Sequence, residues 1–544
     1  MLRRIENRSL LKCLFLFTFQ FLVFACFAQQ PSVFKADPDA AKTFFNNQNY
    51  FSAIKVYQLL LKKEPDNVEY NQMIAKCYML SNSIKAKAIP HLEFLIKQEK
   101  FPDDTYLDLG RAYHFSNRFD DAIKYYNKYK EKVSSDKKAL ALVTRYIEQA
   151  HNGSELIKHT SNISFENLGK TINCEFPDFY PVVMPDESGI YFTTRRKSPT
   201  AQMPEFDGLF ASDIFYAPIK GGKPDKAQTV GPLINTNLDE QVVDISDDGT
   251  IMLFYIDHNV GNNEQWGDIW ISRRINPKTP WLKPEPLPEN INAGFETSAS
   301  IFKNPETEEE SILVSSSRSG TSDNPNYGET DIYISKKLPN GKWSDPKNLG
   351  PNINTKYKEE FPQLSEDGKT LYFASEGHSS MGDFDIFKSV WDESDQAWSE
   401  PKNLGYPINT AGRDMNISFT TGGRIAYMSS LREGGQGDLD IYRLVLQDVI
   451  GKESIYKGYI SAVDTLNKVR NAKIEIMDKV SNELLGTYIP DPNSCYFIMA
   501  LPPGKWVMNV TADGFVPYTE EINIFDEVLK FSPEVNKNIK LTKK

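Results

Sequence analysis

One triplet, Asp-Ile-aromatic, recurs five times along this chain, at Asp213, Asp268, Asp331, Asp385 and Asp440, with intervals of 55, 63, 54 and 55 residues. A second marker, an Ile-Asn pair, keeps step with it at Ile172, Ile234, Ile291, Ile353 and Ile408. Between the two markers a short turn recurs as Glu187-Ser-Gly189, Asp247-Asp-Gly249, Glu366-Asp-Gly368 and Thr421-Gly-Gly423. In the third unit the longer acidic stretch from Asn304 to Glu310 replaces it. The clearest copy flanks its Asp-Gly turn with Phe361-Pro-Gln-Leu and Leu371-Tyr-Phe-Ala, a hairpin signal, because glycine reaches positive φ without steric penalty. Three short antiparallel strands are too few to stand alone. Repetition at this period, with about four strands per unit, predicts a β-propeller.

The order of the markers predicts how the ring closes. An outer segment of the form W-x-x-P-x-x-L follows the third and fourth units, at Trp343–Leu349 and Trp398–Leu404, whereas the fifth ends without one. A spare segment, Ile163 through Asn173, lies ahead of the first unit. An open sheet edge recruits other chains. Residues 160–173 are therefore expected to cross over and complete the fifth blade with residues 411–446, giving a five-bladed propeller over 160–446.

The flanking regions carry other periods. Arg3, Arg4, Arg8 and Lys12 precede an apolar run from Cys13 to Ala28, which predicts a secretory signal peptide over 1–28. Lipidation at Cys26 is the alternative. Export puts the chain in the periplasm, in association with the outer membrane. Residues 36–150 place apolar side chains at helical spacing (Ala41, Phe44, Phe45, then Phe51, Ile54, Tyr57, Leu60, Leu61) in three pairs and a cap. Pro65 and Pro102 lie 37 residues apart, near the 34-residue tetratricopeptide (TPR) period, and Leu109-Gly110, Tyr113 and Ala122 fit that motif. The expectation is an α-solenoid with a protein-binding groove. After a linker at 447–455, residues 455–541 alternate with period two, as a small β-sandwich does. Only Cys77, Cys174 and Cys495 remain after leader removal, one per region, so no structural disulfide is expected. A net charge of −11 speaks against nucleic acid.

An acidic residue stands ahead of the first strand of every unit: Glu175, Glu240, Glu296, Glu360 and Asp414. Five equivalent positions on innermost strands predict a carboxylate rim at the channel mouth, suited to a divalent cation or a basic tail. The competing expectation is local pairing with Arg195, Arg318 and Arg432. The repeated Asp of Asp-Ile-aromatic reads as a turn cap. The six histidines form no HExxH or other ligand-spaced pair, and no GxSxG elbow, Walker or dinucleotide motif appears. No catalytic residue, metal or cofactor is expected.

Taken together, the SxDGxxLYF and DIY segments, with Ala472-Lys-Ile-Glu-Ile, Leu501-Pro-Pro-Gly-Lys-Trp and Ala512-Asp-Gly-Phe, resemble a Bacteroidetes envelope family. Its members join TPR repeats, a WD40-like (PD40, TolB-type) propeller and a carboxypeptidase-regulatory-like domain, usually followed by an OmpA-like domain that this chain lacks. The resemblance implies a non-enzymatic exported scaffold that docks envelope or outer-membrane proteins, accessory to type IX secretion or gliding, without direct peptidoglycan binding. The alternative is a glycan- or peptide-binding module, or a propeller enzyme acting on cell-wall sugars.

Overall fold

The computed structural model describes residues 34–544 except 83, 258–266, 433, 447–453, 465–467 and 526–533. The leader at 1–28 and most of the 447–455 linker lie outside the described residues. Five antiparallel sheets follow the repeat. Their innermost strands are Asp178–Val183, Asp239–Ile245, Glu296–Lys303, Glu359–Leu364 and Ile417–Phe419. Each sheet then adds a second strand, a third beginning at or next to the Asp-Ile-aromatic aspartate, and a two-residue outer strand. In the fifth sheet that outer place is taken by Ile163–Asn167, which pairs antiparallel with Asp440–Leu446 from Ile163↔Leu446 to Asn167↔Tyr442. The ring is closed by chain from before the first blade.

Why the two markers travel together is visible in their hydrogen bonds. A two-residue outer strand leaves the third strand's inner end short of partners, and the Asn of Ile-Asn supplies them. Its side-chain amide acts as a peptide group. Ile386 N–H donates to Asn409 Oδ1 (2.7 Å) and Asn409 Nδ2 donates back to Ile386 O (2.8 Å). The same two-way bracket joins Asn173 to Ile441, Asn235 to Ile214, Asn292 to Ile269 and Asn354 to Ile332. The aspartate ahead of the Ile caps the preceding loop in the third, fourth and fifth units, where Asp440 accepts from Gln436 N–H (2.6 Å). Asp385 accepts from the N–H groups of Met381 (2.7 Å) and Gly382 (3.1 Å), and Asp331 does the same with Tyr327 and Gly328. At the first hairpin turn of the fourth blade Gly368 sits at φ 69°, and a Cβ there would lie 2.7 Å from the Phe302 ring of the neighbouring blade.

Among the described residues there are seven α-helices: α1 (Pro38–Asn46), α2 (Tyr50–Lys63), α3 (Val68–Leu80), α4 (Ile89–Leu95), α5 (Asp104–His114), α6 (Phe119–Lys132) and α7 (Lys137–Leu156). Asn49, Asn67 and Asp136 cap α2, α3 and α7 by accepting from first-turn N–H groups. The Leu109-Gly110 pair lets α5 and α6 approach closely, since a Cβ on Gly110 would lie 2.5 Å from the Tyr126 ring.

The expected solenoid is corrected here. With 35% strand and 20% helix the chain is mostly β, and the seven helices form a layer whose core does not close on itself. Met381 and Ala411 of the propeller and Ile455, Tyr496 and Ile498 of the C-terminal sheets belong to the same apolar cluster as the helix interiors. A solenoid needs an end cap with a solvated outer face. α7 has none: its buried polar residues Gln149, Asn152 and Glu155 are spent on neighbours.

The C-terminal strands form two further sheets, one ordered Leu484–Tyr488, Lys473–Asp478, Gly504–Thr511, Tyr518–Ile524, the other built around Ser454–Ala462. α7 stands between these and the propeller. Asn152 Nδ2 donates to Ser380 O (2.9 Å) in the fourth blade while its Oδ1 accepts from the Tyr496 hydroxyl (2.8 Å) of the C-terminal sheet. Arg145 Nη2 donates to Glu376 O (2.6 Å), Gly377 O (2.8 Å) and Ser380 Oγ (2.6 Å). Glu534 ties the sheets directly to the fourth blade, accepting from Lys457 Nζ (2.6 Å), Asn403 N (3.1 Å) and the Ser379 hydroxyl.

Candidate functional site: the mouth of the propeller channel

The rim of carboxylates takes shape with different members. Counting five residues on from the Asn of Ile-Asn leads to Asp178, Glu240, Glu359 and Asp414, and four residues on in the shorter third unit leads to Glu296. Each of these accepts from the backbone N–H just after that Asn. The bonds run from Cys174 to Asp178 (2.8 Å), Thr236 to Glu240 (3.0 Å), Ala293 to Glu296 (3.2 Å), Thr355 to Glu359 (2.8 Å) and Thr410 to Asp414 (2.7 Å). Two expected members are therefore replaced. Glu175 is exposed on the loop and takes no part, and Glu360 stands one position past the ring residue.

The five are loop clamps rather than a free rim. Ser316 and Ser375 donate hydroxyls to Glu296 and Glu359 (2.7 Å each). Arg318 lies 3.4 Å from Glu296, and the charge of Arg432 acts on Asp414. In the first blade it is Arg196, not Arg195, that pairs with the buried Asp178, while Arg195 is held by Glu205 and Asp207. No group of three or more His, Cys, Asp or Glu side chains among the described residues is arranged to hold a metal ion.

Burial pushes Glu240 and Glu359 up to about 7 and Asp414 to about 6, with Arg432 pulling Asp414 the other way. Folded-state values above the unfolded ones mean that these groups favour the fold fully only below about pH 4, and that this contribution is lost as pH rises through about 7. The melting temperature should therefore fall by at least about 2 °C from pH 5.5 to pH 8. Glu359→Gln should flatten that slope; an unchanged slope would remove the assignment from this residue.

Inside the ring the first and fourth blades meet. Tyr180 and Phe361 each sit at a bulge of the innermost strand with φ of 50° and 53°, in the left-handed region that side chains rarely adopt. Their ring centroids are 4.6 Å apart. Blades one and four are not neighbours in a ring of five, so this contact crosses the axis and shuts the channel.

Around this plug lie groups that no strand requires. Glu360 is buried, which pushes its carboxyl up, while Arg413 and Lys358 pull it back. Glu376, at the end of the fourth blade's second strand, is pushed up to about 7 by burial, against the same Arg413 and Lys358 and with Asp383 and Glu329 adding to the rise. Arg413 lies 5.2 Å from the centre of the Phe384 ring and influences the Tyr180 hydroxyl as well. Arg145 of α7 stacks on Tyr357 at 4.9 Å beside them. A carboxyl that titrates near neutrality next to fixed cations can donate or accept a proton or bind hydroxyls. Sequence reasoning singled out Glu360 for its equivalence to other units. Glu376, Arg413 and the Tyr180–Phe361 contact carry no repeat signal.

No family model matches the chain, and no curated protein is similar to it. Solved structures do align with it. The catalytic domain of a Coprinopsis cinerea GH62 α-L-arabinofuranosidase is 11% identical over 53% of this chain and 98% of its own, with a TM-score of 0.31. A GH43 β-xylosidase/α-arabinofuranosidase from a compost metagenome is 14% identical over 51% and 92%, at 0.33. A GH43_1 enzyme from Xanthomonas citri is 10% identical over 53% and 92%, at 0.32. The kinship expected from domain order is corrected accordingly: no envelope-protein family answers to it, and these three aligned structures are glycoside hydrolases. The expectation of a non-enzymatic scaffold in secretion is corrected with it, since none of these comparisons points to that role.

Proposed function

We propose that this chain acts on saccharides, with the plugged channel mouth as its site. The observation that carries this reading is the sharing of Arg413 and Lys358 by two carboxyls of raised pKa, Glu360 and Glu376, with the tilted Tyr180–Phe361 ring pair close to Glu360 and Arg413. Glycoside hydrolysis needs one carboxyl still protonated near neutral pH and a second group to answer the charge that develops on the sugar. Glu376, at about 7, takes the part of the proton donor. Glu360, whose carboxyl burial pushes up while Arg413 and Lys358 pull it back, takes the second part beside those cations, and the aromatic pair offers an apolar floor to a sugar ring. Export through residues 1–28 would bring the chain to cell-wall sugars.

A panel of chromogenic glycosides and polysaccharides tests this, read both for hydrolysis and for binding. Turnover on at least one member is expected, and Glu376→Gln should lower kcat by about 100-fold or more while leaving saccharide binding in place. Glu360→Gln should lower kcat and weaken binding together. A panel on which the wild-type chain neither binds nor turns over any saccharide would dispose of the reading.

A further inference from the structure

The helices dock on the face of the propeller that carries the channel mouth. In the fourth blade Glu359, Ser375 and Asp385 pair at one end of their strands, so the loop from 376 to 384 leaves the blade beside Glu360. α7 sits on that loop. Its Gln149 Nε2 donates to Ser380 Oγ (3.1 Å) and Gly382 O (2.5 Å), and His114 of α5 bonds Met381 O through Nε2 (2.8 Å). In the first blade Asp178, Thr194 and Asp213 mark the same end, and a Cβ on Gly208 of its loop would run into the Asn49 side chain at the start of α2. Between these two blades, the charge of Lys85 acts on Asp438 of the fifth. The helix layer therefore overhangs the mouth from the fourth blade round to the first.

Under the overhang, polar side chains of both bodies converge without bonding to one another. Arg111 of α5 lies between the rings of Phe115 (5.8 Å) and Tyr146 (5.5 Å), and Tyr146 of α7 stacks on Tyr126 (5.6 Å). Across from them stands Asp383, whose N–H donates to Gly412 O (3.0 Å) beside Arg413. The charge of Asp383 acts on Arg111, Tyr146 and Glu376 alike, which places it between the overhang and the proton donor. Among the described residues, the side chains of Arg111, Tyr146, Asp383 and Glu376 make no hydrogen bond and no ion pair. Lys85, the other cation here, is spent on Met79 O (3.0 Å) and Ser81 O.

A few fixed polar groups with unused bonding capacity are what orients a ligand in a site. This set is balanced in charge, because Arg111 faces Asp383 and, one turn back on α5, Asp108. An anionic ligand would meet Asp383, and an amine would meet Arg111. A sugar hydroxyl satisfies both, accepting from the guanidinium and donating to the carboxylate, and the Tyr146 hydroxyl can answer it in either sense.

We infer that Arg111, Tyr146 and Asp383 form a second sugar subsite, roofed by the helix layer, which holds the uncharged unit next to the one that reacts at Glu376 and Glu360. This subsite rests on the saccharide reading of the mouth, and it makes the helices, not the propeller, responsible for selecting chain length.

The test compares, on the whole chain, the methyl glycoside of one neutral sugar with the trisaccharide of that sugar, which supplies a second unit on whichever side the subsite lies. Wild type should favour the trisaccharide by at least about tenfold in kcat/KM. Tyr146→Phe keeps the stack on Tyr126; it should lower kcat/KM on the trisaccharide at least about fivefold more than on the methyl glycoside, chiefly through KM. Arg111→Lys should act in the same direction, because an ammonium cannot reproduce the fork of donors held between two rings. Should that variant fail to fold, Tyr146→Phe decides alone. If the chain binds without turnover, the same ratios are read as affinities by calorimetry. Equal values for the two substrates would overturn the subsite and leave the saccharide reading standing, as would a trisaccharide preference that survives intact in the variants. A chain that neither binds nor turns over any saccharide would bring down both.

Discussion

Replacing Asn409 by alanine is expected to destabilise the propeller by about 4 kcal/mol, one of the two largest effects of any single substitution described for this chain. Asn409 is fully buried. Its amide meets both backbone groups of Ile386, and its Nδ2 also donates to Asn403 Oδ1 (2.7 Å). Asn403 in turn donates to Asp385 (2.6 Å), so one amide supports the third strand, the outer strand and the aspartate cap together. Alanine leaves the buried Ile386 N–H without a partner, at about 1–3 kcal/mol, and takes one of two donors each from Ile386 O and Asn403 Oδ1, which keep Leu404 N–H and Gly405 N–H, at about 1 kcal/mol per bond lost. Asn409→Asp separates this account from simple loss of volume. A carboxylate still accepts from Ile386 N–H but confronts Ile386 O and Asn403 Oδ1 with lone pairs, so it should be no better than alanine. Hydrogen exchange across 385–392 and thermal melts would measure the cost; a loss under about 1 kcal/mol for both variants would refute the bracket as a stabilising device.

Arg145→Ala should release the helix layer from the propeller. The guanidinium donates from one nitrogen to two carbonyls and a hydroxyl of the fourth-blade loop and stacks on Tyr357. Charged hydrogen bonds are worth about 1.5–3 kcal/mol each, and cutting them leaves buried acceptors behind, so a loss of about 3 kcal/mol in docking is expected. Arg145→Lys should recover only part of this, because an ammonium cannot serve a fan of planar acceptors while lying on a ring. Amide exchange in 376–382 should speed up in Arg145→Ala with the inner strands of the blades unaffected. Unaltered protection of that loop would mean that Gln149, Asn152 and Glu534 suffice without it.

The repeat was legible because its markers are the residues that do the hydrogen bonding. Asp caps a loop, Ile carries the third strand, and Asn answers the Ile, so the three recur in fixed order wherever a blade is built. The rim was only half legible. Glu175 and Glu360 have the right charge near the right place, but the clamp is set by distance from the Asn, and counting from Asn173 and Asn354 would have found Asp178 and Glu359. The helices announced themselves by period, whereas their docking did not. Gln149, Asn152 and Glu155 on α7 look in sequence like a solvated face, and only the fourth-blade loop and the C-terminal sheet reveal them as buried. The cross-axis contact of Tyr180 with Phe361, and the approach of Arg111 and Tyr146 to Asp383, bring together positions up to 272 residues apart, from Arg111 to Asp383. Nothing local in the chain marks such meetings.

A blocked axis also dictates how a long polymer can be handled. With Tyr180 lying against Phe361, no strand can be drawn through from one side of the disc to the other. Under the proposed function, a polysaccharide would be gripped by its terminus or laid across the surface, and whatever is released would leave by the way it came. Travel along a fibre would then mean letting go and rebinding at every step.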